Sequence, residues 1–280
     1  MTKSLIFDTE TTGLFATYGN NSANQNIYSY SKLIKEPHLM QLCFMLVDDA
    51  SGNVEKTYNE YIHLPDDATV TQGAYNVHKI SKEDTQTKGV PLLDACMAFI
   101  EAYNEATKIV GHNVPFDIRI INASICRLIR FYEVSYNAYL KECSSFEMLV
   151  NYMQQMGIPV CIQGTTIVVE KEHTLKTGDS FDTNIDLCTP MNPPTCPNVI
   201  TNFVTNKPIY DTMKEGKKLC MLMTSVPGRK PMLKNPKLSE LYNKLYPHEP
   251  MDISKLHNAL YDVEITYKCY MKMMTLLSIE

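Results

Sequence analysis

Leu5-Ile6-Phe7-Asp8-Thr9-Glu10-Thr11-Thr12-Gly13-Leu14 is the stretch on which the fold turns. Its apolar opening predicts a short interior strand over Ser4–Asp8. Side chains alternate across a strand, so Asp8 and Glu10 project from one face, roughly 7 Å apart along it. Two carboxylates at that spacing suit a pair of cations roughly 4 Å apart. Burying both without a cation is costly, through repulsion and desolvation. The plain alternative is a solvated strand end, but a run as apolar as Leu5-Ile6-Phe7 belongs inside. Gly13 permits a tight turn that brings backbone amides close to a ligand.

Working outward, Phe15–Pro37 is rich in Asn, Ser and Tyr without periodicity and reads as a loop, in which Tyr18, Tyr28 and Tyr30 offer stacking surfaces. Met40–Val47 is nearly all apolar, as a buried strand is. Tyr58–Leu64 can pair with it through a turn at Asp48–Asn53. Ser81, Glu83 and Asp84 mark a helix start. Pro91–Thr107 has helical apolar spacing with Pro91 at its N-terminus. Lys108–Gly111 reads as a strand and Phe116–Phe131 as a helix with an Ile-rich stripe. Residues 157–207 turn rich in Thr, Pro and Asn. They read as an insertion within a single 1–280 domain, with one β-like run at Thr165–Glu170 and a possible hairpin within the segment. Ile209–Thr212 reads as an edge strand, Lys237–Tyr246 as a helix stopped by Pro247, and Asn258–Leu277 as the last helix. Early strands followed by strand–helix alternation give a mixed α/β sheet with helices on its faces.

Two further motifs carry carboxylates. In Gly111-His112-Asn113-Val114-Pro115-Phe116-Asp117, Asn113 can cap the following helix and Pro115 fits its first turn, which puts Asp117 near the helix start. A first-turn acid is also what the helix dipole favours, and His112 reads first as a packed, hydrogen-bonded histidine. In His257-Asn258-Ala259-Leu260-Tyr261-Asp262, positions five apart do not share a helix face. His257 is therefore expected just before the helix, on a loop free to move, with Asn258 as the cap and Asp262 on the helix. A histidine so placed can act as a general base.

The net charge is −5, and no apolar run approaches the roughly 18 residues a bilayer span needs. The N-terminus lacks the apolar stretch of a signal peptide. Nine cysteines are scattered without a CxxC pair, so reduced thiols in a cytoplasmic or other reducing intracellular compartment are expected rather than secretion. Cys188 and Cys196 flank a Pro-rich loop and are the one pair considered for a bridge or shared metal. Charge is uneven: Lys214–Lys244 holds eight cations against two anions, which reads either as a solvated face or as a phosphate-facing patch.

Taken together and in this order, FDTETTGL, GHNVPFD and HNALYD resemble the DEDDh branch of the DnaQ-like 3′→5′ exonucleases. Pro37–Leu42, Asn76–Ile80, Tyr210–Met213 and Lys237–Leu241 resemble secondary segments of that family. The resemblance does not reach 157–206 and covers 15–36 poorly. It implies a ribonuclease H-like fold, α/β, with a mixed five-stranded central sheet flanked by helices. It also implies that Asp8, Glu10, Asp117 and Asp262 hold two Mg²⁺ or Mn²⁺ ions, with His257 activating water and nucleoside 5′-monophosphates as products. By the same resemblance Thr11, Thr12, Leu14, Val77, His78, Ile80, Asn113 and Phe116 meet the 3′-terminal nucleotide. For Leu14, Val77, Ile80 and Phe116, core packing is the competing reading.

The expected partner is single-stranded or 3′-frayed nucleic acid, DNA favoured. A proofreading role would call for a separate polymerase, and a second copy of the chain is another possible partner. An exoribonuclease uses the same residues and stays open as the alternative. A non-catalytic nucleic-acid-binding protein on the same fold is the reading from another class. Against it stand four converging carboxylates, which repel one another without metal.

Overall fold

The computed structural model describes residues 2–15, 35–131, 160–163, 166–169, 207–224 and 230–277. The chain divides into two compact units. Residues 1–13, 38–120 and 207–280 form the first, and residues 14–37 and 121–206 the second.

The first unit is built on five strands: β1 (Lys3–Thr11), β2 (Leu39–Asp48), β3 (Val54–Tyr61), β4 (Lys108–Gly111) and β7 (Ile209–Asp211). Their order is β3-β2-β1-β4-β7. The β3-β2-β1 half is antiparallel, whereas β4 and β7 run parallel to β1, so the sheet is mixed. This is the ribonuclease H-like arrangement. All ten residues of β2 are buried, as a strand covered on both faces requires.

β3 begins four residues before the sequence places it. The reason is the tightness of the preceding turn. The Asp48 carboxylate accepts from the Ala50 and Ser51 amides and from the Ser51 hydroxyl, and the Gly52 amide donates to the Asp48 carbonyl. Pairing therefore resumes at Val54.

The α-helices among the described residues are α1 (Gln72–His78), α2 (Lys82–Lys88), α3 (Leu92–Glu105), α4 (Val114–Phe131), α5 (Thr212–Cys220), α6 (Leu238–Leu245) and α7 (Ala259–Leu277). Ser81 caps α2 with a full capping box closed by Asp84. α1 and α5 have no apolar stripe strong enough to read in sequence. Their starts are local: the Thr71 hydroxyl accepts from the Ala74 amide, and the Asp211 carboxylate accepts from the Met213 and Lys214 amides.

Alternation along β1 feeds two cores. On one face Phe7 meets Phe99 of α3 edge to face at 5.3 Å, and Phe44 of β2 stacks on Tyr58 at 5.0 Å. On the other face Ile6, Cys43, Met45, Val47 and Val110 pack with Ala259, Val263 and Tyr270 of α7. A third cluster joins Leu241, Tyr242 and Leu245 of α6 to Ile265, Cys269 and Met273 of α7. Among the described residues, no helix is long and apolar enough to cross a membrane.

In the second unit, β5 (Val160–Gln163) and β6 (Thr166–Val169) pair as an antiparallel hairpin. The Arg127 guanidinium donates to the Glu36 and Pro37 carbonyls. Tyr18, Tyr28, Tyr30, Cys188 and Cys196 lie outside the described residues.

Candidate active site

Asp8 and Glu10 stand on the β1 face that α7 covers. They are paired in register with Cys43 and Gln41. Asp262 lies in the first turn of α7 and is buried. Ligating atoms of Glu10, Asp262 and the His257 imidazole all lie within 4.8 Å of one another. Asp117, in the first turns of α4, is buried and close enough to raise the pKa of both Asp8 and Glu10. The four carboxylates thus meet at the end of β1.

Their electrostatics follow from that convergence. Burial, then the neighbouring acids Asp117, Glu10 and Asp262, pushes Asp8 well above the usual carboxylate range. Burial, then Asp262 and Asp117, pushes Glu10 up to about 8. Burial raises Asp117 to about 7, against the pull of hydrogen bonds from Thr9. Burial raises Asp262 to about 6, opposed by the His257 amide. Asp262 Oδ1 is buried with no hydrogen-bond partner. A cluster of repelling carboxylates with an orphaned oxygen is what a hard divalent cation satisfies, and the residues fit such an ion.

His257 sits before α7, as its spacing from Asp262 requires. Its backbone is left-handed, φ 64°, and its amide donates to Asp262 Oδ2 at 3.0 Å. Asn258 caps α7: its carbonyl accepts from the Asp262 amide and its side-chain oxygen from the Tyr261 amide. Desolvation, then the Lys237 ammonium, lowers the His257 pKa and favours the neutral imidazole.

The expected substrate contacts divide. The Thr11 hydroxyl donates to the Gly13 carbonyl, and the Thr12 hydroxyl accepts from the His38 amide. Both threonines are buried, and their hydroxyls brace the turn after β1. Leu14 is 85% exposed and belongs to the second unit. Val77, His78 and Ile80 line a cleft of about 570 Å³ together with the 254–258 loop, Gln41 and Tyr61. Val77 is 46% exposed there. Ile80 is only 4% exposed and packs with Met40, Leu64 and Ala68, so it belongs to the core and to the cleft wall at once.

His78 uses both ring nitrogens. Nδ1 accepts from the Ile80 amide at 3.0 Å, so Nε2 carries the proton and donates to the Thr11 carbonyl at 3.1 Å. Asn113 acts through its backbone. Its φ is 78°, its amide donates to Asp211 Oδ1 and its carbonyl accepts from the Phe116 amide. Phe116 is half-buried in the first turn of α4. The His112 ring is hydrogen-bonded to the Thr212 hydroxyl and the Pro236 carbonyl, the packed histidine its sequence context suggests.

Three residues bear on the site that the sequence had not singled out as site residues. Thr9 donates to Asp117 Oδ1 from its hydroxyl (2.7 Å) and its amide (3.1 Å). Asp211 holds the Asn113 amide at the entry to α4. Lys237 imposes its charge on His257. Only the position of Thr9 between two acids could have drawn attention to it. The other two act across long sequence separations.

Among solved structures, two complexes of E. coli exonuclease I, with a dT13 and with a 5cy-dA13 oligonucleotide, each match with a TM-score of 0.50 at 13% identity. Each alignment covers 98% of this chain and 41% of the exonuclease I chain, so the present chain spans less than half the length of those relatives. At that identity the likeness establishes the fold. No curated protein sequence matches the chain. Residues 5–174 match the RNase_T exonuclease family model, and the chain therefore belongs to that exonuclease family.

Proposed function

We infer that this protein is a metal-dependent 3′→5′ exonuclease that shortens nucleic acid from its 3′ end and releases nucleoside 5′-monophosphates, with single-stranded DNA as the favoured substrate. The observation that carries this reading is the convergence of Asp8, Glu10, Asp117 and Asp262 beside His257, with Asp262 Oδ1 left unpaired.

Asp8, Glu10, Asp117 and Asp262 would hold two divalent cations, Mg²⁺ or Mn²⁺. Bound there, such ions supply positive charge against the phosphate and leaving oxygen and lower the pKa of water. The remaining chemistry belongs to the chain. His257, neutral at pH 7, takes the proton of the attacking water at its free ring nitrogen. The water oxygen bonds to phosphorus, the bond from phosphorus to the 3′ oxygen of the preceding nucleotide breaks, and that oxygen takes up a proton from solvent to become the new 3′-hydroxyl. The bond from the His257 backbone amide to Asp262 Oδ2 ties the loop that carries the ring to the carboxylates. The cleft bounded by Val77, His78 and Ile80 would receive the terminal nucleotide, and Thr11, Thr12, Asn113 and Phe116 would shape its approach.

The test uses end-labelled single-stranded DNA and RNA with Mg²⁺, Mn²⁺ or EDTA. Ladders that shorten from the 3′ end only with metal are the expected result, and the faster substrate decides between DNA and the exoribonuclease alternative. Binding without metal-dependent cleavage of either would overturn the enzymatic reading.

A further inference from the structure

Several surface lysines in the first unit are engaged by a carboxylate. Lys3, Lys56, Lys88, Lys108, Lys255 and Lys268 all form ion pairs. One region differs. Lys217 and Lys218 on α5, and Lys230 before β9 (Met232–Leu233), make no ion pair among the described residues. Beside them, large apolar side chains stand in water: Met221 is 69% exposed, Met223 of β8 (Met223–Thr224) 55% and Met232 68%.

β8 and β9 form a two-stranded hairpin with exposed apolar groups on both faces. Met223 pairs with Leu233 and Thr224 with Met232. A lone hairpin is marginal in water, and exposing methionine on it costs free energy unless something covers it.

The hairpin is nevertheless tied to the catalytic frame. The Lys234 amide donates to the Leu222 carbonyl, and the Lys234 ammonium pairs with Glu240. Two residues on, the Pro236 carbonyl is hydrogen-bonded to His112 at the end of β4. The next residue, Lys237, is the cation whose charge reaches His257. A continuous stretch of chain thus leads from the exposed methionines to the candidate base.

We propose that the α5 and β8–β9 surface binds the single-stranded polynucleotide upstream of its 3′ end, with phosphates on Lys217, Lys218 and Lys230 and bases against Met221, Met223 and Met232. Unpaired cations interleaved with exposed apolar groups match a strand that presents phosphates and unstacked bases together. Methionine, unbranched and polarizable, accepts any base without sequence readout. The inference rests on the exonuclease reading for the direction of the strand, but its test does not need catalysis.

Binding is measured in EDTA by fluorescence anisotropy, with oligo-dT and oligo-U of about 15 and about 4 nucleotides, across about 50 to 200 mM salt. Two variants are compared with wild type: Lys217→Gln/Lys218→Gln and Met223→Ser/Met232→Ser. Each is expected to weaken the long oligomers by about tenfold or more. The lysine pair should also lower the salt slope by about 1.4, roughly 0.7 for each single-strand phosphate no longer neutralised. The short oligomers should bind alike in all three proteins. Lys56→Gln/Lys268→Gln makes the same change in net charge at ion-paired positions and should leave the long oligomers unaffected. Unchanged affinity in both test variants, or an equal loss in the control, overturns the proposal. So does a self-associated wild type that the methionine variant dissolves without changing nucleic-acid affinity, which would make a second copy the occupant. A surface that passes this test in a protein that cleaves nothing would leave the proposal standing and strike the catalytic reading alone.

Discussion

The His257 amide donates to Asp262 Oδ2 across 3.0 Å, so one hydrogen bond joins the loop that carries the imidazole to the helix that carries the carboxylate. The bond divides the work between the two residues. Replacing the ring should leave the carboxylates in place, whereas replacing the acid should disturb both. His257→Ala is therefore expected to lower kcat by about 10²- to 10⁴-fold, the usual worth of a general base. Its Mn²⁺ affinity by calorimetry should stay near wild type. Asp262→Ala should lose both activity and Mn²⁺ binding, and an Asp262→Ala protein that still binds Mn²⁺ normally would remove Asp262 from the ligand set.

The raised carboxylates predict how stability depends on pH without metal. Glu10 rises from 4.5 to about 8 and Asp117 from 3.8 to about 7, both mainly through burial. The folded state therefore binds protons more tightly than the unfolded chain. Their stabilising effect is present below about pH 4 and is lost as pH rises towards 8. In EDTA, the melting temperature should fall between pH 5 and about 8. Saturating Mg²⁺ should flatten that fall, because the ion replaces the protons, and its binding near pH 7 should release protons measurable as a buffer-dependent heat. A metal-free melting curve that rises over this interval would contradict the assignment.

Thr9 points away from Asp8 and Glu10 along β1 and fixes Asp117 with two hydrogen bonds. Thr9→Val keeps the shape and removes the hydroxyl. We expect about 10–100-fold weaker metal binding or activity, typical of losing a group that orients a ligand. Thr9→Ser should restore most of it, and a silent Thr9→Val would show that the amide bond alone suffices.

Phe99 tests the sheet's other face. Its ring is fully buried, 5.3 Å from Phe7 and 6.3 Å from Phe44. Phe99→Ala should cost about 3–5 kcal/mol in urea unfolding, the usual range for a buried aromatic cavity. Because it lies on the face opposite α7, residual folded protein should keep its metal affinity.

Much of this was legible in the chain itself because it depends on local periodicity. Alternation along β1 put Asp8 and Glu10 on one face, the unbroken apolar run of β2 announced a strand covered on both sides, and the five-residue gap between His257 and Asp262 placed the histidine outside α7. Helices α1 and α5 escaped notice because their starts rest on single capping side chains rather than an apolar stripe. Tertiary structure alone decided the rest. The Thr9–Asp117 bonds, the His78 tie to Thr11, the Asp211 grip on Asn113 and the reach of Lys237 to His257 join residues from 20 to 108 positions apart. The same holds for the raised carboxylate pKa values, since desolvation and mutual repulsion exist only once separate strands and helices bring the four acids together in a water-poor interior.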